Sequence, residues 1–166
     1  MCIRDRPYLL ENSEKIAGQI IVLEPRRVAA RASASYIASQ MGERPGQTIG
    51  YELRLEKKIS KTTRINFQTE GLFLRRLIAD PELQGVSLLI FDEFHERSLN
   101  ADLCLALALD IQSAIRPDLK IIIMSATLDV SPISELMPEA LFVKTKAPHY
   151  PIEDRYITRA RDISIE

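Results

Sequence analysis

The sequence has few cysteines and lacks any segment that would export or anchor the chain. Only Cys2 and Cys104 are present, and their separation excludes a disulfide framework and a cysteine metal site. No apolar run approaches the roughly 20 residues that span a bilayer, and the N-terminus has no secretory apolar core. Because unpaired cysteines fit a reducing compartment, we expect a cytoplasmic protein with no membrane partner.

The sequence also lacks an excess of charge of either sign. The 22 Lys and Arg residues are balanced by 23 Asp and Glu residues, which gives a formal net charge of −1. This balance excludes a globally basic nucleic-acid binder, so any contact with nucleic acid must be local. The chain has 166 residues, of which 46% are hydrophobic. This size and composition suit one domain with a sizeable core and exclude a disordered chain.

Short apolar runs and helical patterns alternate along the chain. The apolar runs predict strands at 19–23, 49–55, 64–68, 88–91 and 120–124, and we expect the last of these to be buried on both faces. Helices are predicted over 26–41, 71–78, 100–113 and 133–136, followed by a strand at 141–143 and an extended linker at 147–151. This alternation predicts an α/β fold with a largely parallel sheet.

Two of the predicted helices have apolar residues at four-residue spacing, which predicts a buried face on each. These faces consist of Val28, Ala32 and Tyr36 in the first helix and of Leu99, Leu103, Leu107 and Ile111 in the third. A charged loop, which we expect to be solvated, separates two of the strands and holds Lys57, Lys58 and Lys61.

Two adjacent carboxylates, Asp92 and Glu93, follow the apolar run 88–91. A strand buried on both faces ends there, and open α/β sheets bind ligands at the carboxyl ends of their strands. One carboxylate can hold hydrated Mg²⁺ and its neighbour can polarise a water molecule, which is the chemistry of nucleoside triphosphate hydrolysis. The alternative is a solvated acidic turn. Glu96 and Arg97, just beyond, are expected to pair with each other.

Three further segments have residues that suit phosphate or hydroxyl contacts after a strand. Arg26 and Arg27 follow Pro25 at a helix start, where N–H and guanidinium groups both suit phosphate oxygens; an ordinary basic helix start is the alternative. Thr69-Glu70-Gly71 can likewise approach a phosphate closely, and Thr69 can also act as a helix N-cap. Ser125-Ala126-Thr127 follows a strand, and the alternative there is a simple Ser/Thr turn.

Together these segments resemble the DEAH helicases of superfamily 2. Asp92-Glu93-Phe94-His95 is similar to their Asp-Glu-x-His box, with Phe94 where Ala is usual. Glu24-Pro25-Arg26-Arg27 resembles motif Ia, Thr69-Glu70-Gly71 motif Ib and Ser125-Ala126-Thr127 motif III, all in the family's order. Gly50-Tyr51 followed by Arg54 also fits the family pattern. The resemblance covers residues 7–156 and implies a RecA-like (P-loop NTPase) domain, with a mostly parallel sheet and helices on both faces.

The resemblance also implies an ATP-dependent helicase that uses Mg²⁺ and acts on single-stranded nucleic acid, RNA being favoured over DNA. Asp92 would hold Mg²⁺ through water, and Glu93, close to the same metal, would orient and deprotonate the attacking water. His95, Ser125 and Thr127 would couple hydrolysis to movement of a second RecA-like domain. The residues implied in gripping the phosphate backbone are Pro25, Arg26, Arg27, Thr69, Glu70 and Gly71.

The sequence lacks the Gly-x-Gly-Lys-Ser/Thr loop that cradles the phosphates in such enzymes. We therefore expect an internal piece of a longer helicase, with a sheet incomplete at its N-terminus and no ATP hydrolysis by the piece alone. Residues 1–6 are expected to be non-native, 7–146 to form the first RecA-like domain without the loop, and 147–166 to form a linker and the start of the second domain. That second, missing domain is then an expected partner.

Two other classes of function remain open from the sequence. One is a nucleic-acid-binding or regulatory module that does not hydrolyse ATP, which the missing phosphate loop favours. The other is an α/β nucleotide enzyme unrelated to helicases, such as a kinase-like domain, against which the four ordered segments argue.

Overall fold

A computed structural model describes residues 16–126, 131–144 and 153. Its centre is a six-stranded sheet with the order β3-β2-β4-β1-β5-β6. All neighbouring strands are parallel except β3, which is antiparallel to β2. The strands are β1 (Gln19–Glu24), β2 (Ile49–Leu53), β3 (Glu56–Lys58), β4 (Ile65–Thr69), β5 (Val86–Phe91) and β6 (Lys120–Ile123). The predicted α/β fold with a largely parallel sheet is confirmed.

Helices cover both faces of this sheet. They are α1 (Arg27–Gln40), α2 (Glu70–Ala79) and α3 (Leu99–Ala114), with a 3₁₀ turn at Phe94–Glu96. A further helix, α4 (Ser131–Leu136), follows later in the chain. On one face α1 packs against β2, β4 and β1, where Ile20, Val22, Phe67 and other side chains form the main apolar core. Because side chains alternate along a strand, Ile21 and Leu23 point to the other face, where α2 packs on β4 and β1 and also contacts α3.

The predicted buried faces of α1 and α3 are wrong. Val28 is 77% exposed and Tyr36 43%, while Leu99 is 84% exposed and Leu103 42%. The faces that are buried consist largely of small side chains, which let the helix backbones approach their neighbours closely; they are Ala30, Ser33, Ala34, Ile37 and Ala38 in α1 and Ala101, Cys104, Leu105, Ala108 and Ile111 in α3. Of the predicted stripes only Ile111 is buried.

Four predictions about the strands and the loop between them are also corrected. The strand expected over 49–55 ends at Leu53, and Lys57 and Lys58 lie in β3 rather than in a loop. β6 is not buried on both faces: it lies at the end of the sheet order, and Ile122 is 38% exposed. Residues 141–143 form no strand. The predictions for residues 1–6, for Thr127 and for the linker 147–151 concern residues outside the described ranges.

One arginine ties together the loops at the amino end of the sheet. Arg116 donates from Nη1 to the carbonyls of Glu82 (2.7 Å) and Leu83 (3.1 Å) and from Nη2 to that of Val86 (2.9 Å). Its Nε and Nη2 also donate to the two carboxylate oxygens of Asp118, at 2.8 and 2.7 Å. Leu83 has a positive φ of 47°, so this contact holds a backbone conformation that is unfavourable for leucine.

The chain divides into two compact units, one up to residue 128 and one from residue 129. The first contains the sheet with α1 to α3, and the second contains α4. Among the described residues, no helix is long and apolar enough to cross a membrane.

Candidate functional site

The segments singled out from the sequence meet at the carboxyl edge of the sheet. Neighbouring strands end side by side: Glu24 of β1 pairs with Thr69 of β4, and Phe91 of β5 pairs with Leu23 of β1 and Ile123 of β6. Because parallel strands bring their carboxyl ends to one edge, the residues that follow them are neighbours in space. The acidic turn after β5 therefore lies between the basic segment after β1 and the serine after β6.

Backbone hydrogen bonds fix the acidic turn, Asp92 to Arg97, against the strands on either side. The Asp92 N–H donates to the carbonyl of Leu23 at 3.0 Å, and the Phe94 N–H donates to that of Met124 at 3.0 Å. Asp92 Oδ1 accepts from the Glu93 N–H at 2.9 Å. Glu93 has a φ of 51°, a left-handed conformation that is uncommon for residues other than glycine. The turn thus holds an unusual backbone at the edge where ligands bind in α/β sheets.

Two buried polar atoms beside this turn have no hydrogen-bond partner among the described residues. They are His95 Nδ1 and Ser125 Oγ. His95 Nδ1 lies 3.3 Å from Glu93 Oε2, close enough for charge attraction when the imidazole is protonated but without hydrogen-bond alignment. Unpaired buried polar atoms are costly and cluster at functional sites. His95 and Ser125 follow residues that are joined by the Phe94–Met124 hydrogen bond, and both have hydrogen-bonding capacity to spare.

The buried side chain of Phe94 holds the acidic turn against the core. This side chain is 3% exposed, and its ring meets that of Phe91 edge-on at 6.1 Å. The guanidinium of Arg97 lies 5.5 Å from the centre of the Phe94 ring and donates to Asp102 at 3.1 Å. The expected local pairing of Glu96 with Arg97 is wrong, since Arg97 turns towards α3 instead.

Asp92 and Glu93 offer the oxygen ligands that suit Mg²⁺. Within the described part of the chain, no three His, Cys, Asp or Glu side chains group as a metal-binding cluster. Mg²⁺ in nucleotide sites is commonly held by only one or two carboxylates, with water and phosphate supplying the remaining ligands. The donor set at this turn fits a Mg²⁺ ion that Asp92 would hold through water.

The basic segment begins α1 at the same edge. Arg26 is the N-cap residue and Arg27 the first helical residue, both exposed, and no side chain caps the helix. Pro25 ends β1, as predicted, because proline has no N–H to donate to a ladder. Arg26 Nη2 lies 3.0 Å from Glu96 Oε1 of the acidic turn. Sequence reasoning missed this ion pair, because nothing in a linear pattern indicates that these two segments touch.

The predicted contact segment 69–71 divides into exposed and buried parts. Thr69 is the N-cap residue of α2 but makes no side-chain capping bond, which leaves the first N–H groups of the helix available. A Cβ at Gly71 would meet nothing closer than Asn100 Nδ2 at 3.8 Å, so packing does not require glycine there. Glu70 is only 9% exposed and accepts a short hydrogen bond from Ser98, the N-cap residue of α3.

Cys104 lies beneath Glu70 in the contact between α2 and α3. Its Sγ is 3.5 Å from the Glu70 carbonyl oxygen, and its side chain is fully buried. Burial, with a smaller contribution from the negative charge of Glu70, raises the pKa of the Cys104 thiol to about 12. The thiol is therefore neutral at physiological pH and has a packing role.

Comparison with known proteins gives one consistent family. The family model described as DEAD/DEAH box helicase matches residues 6–136. The chain is 50% identical over 142 residues to the ATP-dependent RNA helicase HrpB of Escherichia coli (strain K12), covering 86% of this chain and 18% of that protein. It is 47% identical over 115 residues to the DExH-box ATP-dependent RNA helicase DExH1 of Arabidopsis thaliana, covering 69% of this chain and 12% of that protein.

A solved structure agrees with these relatives. The crystal structure of the E. coli DExH-box NTPase HrpB superposes with a TM-score of 0.76 at 50% sequence identity, covering 81% of this chain and 17% of that one. The chain therefore spans less than a fifth of the length of the relatives described here.

Proposed function

The chain belongs to the DEAD/DEAH box helicase family, and on that premise we propose that it forms part of an ATP-dependent RNA helicase of the HrpB kind. The observation that carries the proposal is the hydrogen bond from the Asp92 N–H to the Leu23 carbonyl at 3.0 Å. It joins the acidic turn to the strand that leads directly into Pro25 and Arg26. Carboxylates suited to phosphate chemistry and arginines suited to a nucleic-acid backbone thus share one edge.

The acidic turn supplies the proposed catalytic groups. When bound, Mg²⁺ and ATP provide the transferable phosphoryl group and the cation that offsets its charge. Asp92 would hold the metal through water, while Glu93, near the same ion, would orient the attacking water and accept its proton. His95 and Ser125 each have an unpaired buried polar atom. Together with Thr127, they would couple hydrolysis at this turn to movement of a second RecA-like domain.

The neighbouring helix starts supply the proposed nucleic-acid contacts. Arg26 and Arg27 would bind phosphate oxygens of single-stranded RNA, with Pro25 setting the direction of the chain. The N–H groups that follow Thr69, with Gly71 allowing close approach, would bind a second phosphate. Glu70 would contribute through its bond to Ser98, which holds the start of α2 against α3. Contacts of this kind hold a backbone without reading base sequence.

A second function is proposed for the 166-residue chain by itself. Its sequence contains no Gly-Lys pair, and a Lys-bearing loop is required to bind the β- and γ-phosphates. We infer that this chain alone binds single-stranded nucleic acid without hydrolysing ATP, and that hydrolysis also needs a second RecA-like domain as partner. The cytoplasm is its proposed location, supported by the free, buried Cys104.

Salt-dependent RNA binding tests the proposal on the chain as it exists. Fluorescence anisotropy with a labelled oligouridylate should show binding that weakens with salt. Arg26→Ala with Arg27→Ala should flatten the slope of log K against log salt by up to about 1.4, at roughly 0.7 per lost phosphate contact. Lys57→Ala with Lys58→Ala removes the same charge from β3 and is the matched control. An unchanged slope in the arginine variant would give Arg26 and Arg27 a structural role only.

A further inference from the structure

Glu96 forms an ion pair with Arg26, the arginine that is proposed to bind phosphate. Its Oε1 lies 3.0 Å from Arg26 Nη2, and the two side chains are 33% and 72% exposed. Glu96 of the acidic turn thus reaches across to the start of α1, whereas Glu93 lies near His95. The pair therefore connects the segment after β1 with the turn after β5.

A carboxylate at this distance cancels most of the field that Arg26 would present to an approaching phosphate. The arginine also cannot give the same N–H to both anions. An exposed ion pair of this kind is weak, so a phosphodiester can displace the carboxylate, but it must do so at a cost in affinity. Glu96 is therefore placed to compete with the nucleic-acid backbone for Arg26.

The rest of the acidic turn is held in place by other contacts, so displacement of Glu96 affects the residues around it. Phe94 is buried against Phe91, and Arg97 is fixed by Asp102. Glu93 and Arg97, on either side of the 3₁₀ turn, both have a left-handed backbone, with φ of 51° and 47°. Glu96 is the part of the turn that reaches towards α1, so its release acts on the same short segment that carries Glu93 and His95.

We propose that Glu96 is an internal competitor for Arg26, so that a phosphodiester of single-stranded RNA binds by displacing it and thereby alters the acidic turn. This inference deepens the proposed function and rests on it. Glu96 acts through Arg26 and through the turn, and is a positioning residue. By linkage, any change that stabilises the ion pair of Glu96 with Arg26 weakens RNA binding, and RNA binding in turn releases Glu96.

A double-mutant cycle on the 166-residue chain tests this inference. The binding of labelled oligouridylate is measured by anisotropy across a salt series for the wild type, Glu96→Gln, Arg26→Ala and the double variant. Glu96→Gln should bind about two- to fivefold more tightly, the range expected from losing one exposed ion pair. Its salt slope should become steeper by up to about 0.7, because no carboxylate is then freed to take up a cation when RNA binds. In the Arg26→Ala background, Glu96→Gln should change nothing.

Two controls separate this contact from bulk charge. Asp110→Asn removes one negative charge from the exposed side of α3 and should leave affinity unchanged. Glu96→Asp keeps the charge but withdraws the carboxylate by one methylene, and should also tighten binding. Circular dichroism confirms that each variant is folded.

The outcomes are distinct. Tighter binding that requires Arg26 supports the inference. Tightening that persists without Arg26, or that Asp110→Asn reproduces, overturns it in favour of bulk charge, and weaker binding by Glu96→Gln overturns it in favour of a stabilising role. If the wild-type chain binds no RNA at all, the proposed function itself fails.

Discussion

Phe94 differs in burial from Asp92 and Glu93, the two carboxylates before it. Its ring is buried against Phe91, whereas Asp92 is only partly buried and Glu93 is exposed. The same turn gives Asp92 and Glu93 different surroundings: Asp92 accepts the Glu93 N–H, while the Glu93 carboxylate lies beside His95. We therefore expect the two acids to contribute differently to the chemistry.

Substitution in a chimera should separate the two roles. In E. coli HrpB carrying residues 16–126 of this chain in place of its aligned segment, Glu93→Gln should lower kcat by about 10²–10⁴-fold, the value of general-base catalysis, with little change in nucleotide affinity. Asp92→Asn should instead weaken Mg²⁺-dependent nucleotide binding. Single-turnover hydrolysis and equilibrium binding of a fluorescent ATP analogue measure the two effects. Equal losses of affinity in both variants would contradict the assignment, and Asp110→Asn serves as the control.

Cys104 should report opening of the contact between α2 and α3. Because burial raises the pKa of this thiol to about 12, it is protonated at pH 8, whereas roughly a quarter of a free cysteine is ionised at that pH. In a Cys2→Ser variant, iodoacetamide should modify the folded chain very slowly and the urea-unfolded chain rapidly, as followed by mass spectrometry. Because the folded pKa is raised, the contribution of this thiol to stability is complete below about pH 8.5 and is lost towards pH 12. Equal rates in both states would show that the thiol is accessible.

At the scale of elements, the strands could be predicted from the sequence and the helix faces could not. The central strands β1 and β5 are apolar runs such as 88–91, because both of their faces are covered. In α1 Val28 and Tyr36 are exposed, while Ala30, Ala34 and Ile37 are buried. A search for large side chains at helical spacing selects the wrong face when close packing requires small ones.

The β3 strand was missed for a related reason. Glu56, Lys57 and Lys58 have no apolar pattern, and their strand depends on pairing with Tyr51 to Leu53. Glu56 accepts short hydrogen bonds from the Tyr51 hydroxyl and from Arg31, and both contacts require the tertiary fold. The ion pair of Arg26 with Glu96 is likewise tertiary. The sequence thus indicated which segments meet at the carboxyl edge of the sheet, while the contacts between them appear only in three dimensions.

Arg116 should stabilise the amino end of the sheet through its forked geometry. Arg116→Lys retains the charge but cannot reach three carbonyls and both oxygens of Asp118 at once, so we expect a loss of about 1.5–3 kcal/mol in the free energy of unfolding. Urea denaturation followed by circular dichroism measures this loss. Asp118→Asn leaves the three carbonyl contacts in place and should cost less. If the lysine variant is as stable as the wild type, the carbonyl contacts contribute nothing.

At the scale of the whole molecule, the sheet ends differently at its two sides. One side is closed by the charged hairpin strand β3. On the other side β6 pairs with β5, and among the described residues no strand pairs with its outer edge. Ile122 on this strand is 38% exposed. An exposed apolar edge strand is a site where copies of a chain associate.

A lysine on this edge should therefore reduce self-association. Ile122→Lys places a charge on β6, and we expect it to lower the light scattering of concentrated solutions. The free energy of unfolding measured in urea should stay within about 0.5 kcal/mol of the wild type, as is usual for a surface change. Ile78→Lys, at an isoleucine of α2 that is 74% exposed, is the matched control and should not reduce scattering. Equal effects of the two lysines would show that general hydrophobicity, and not the strand edge, drives association.

The amino-end contacts of Arg116 lie at the opposite end of the strands from the acidic turn and the arginines. Substitutions that strengthen those loops can therefore be selected for heat resistance without altering any residue proposed to touch RNA or nucleotide. Natural variation should follow the same division, with substitutions at the amino end changing how much protein accumulates in the cell and substitutions at the carboxyl edge changing what that protein does. A helicase segment built this way can acquire new substrate preferences and recover lost robustness in separate evolutionary steps.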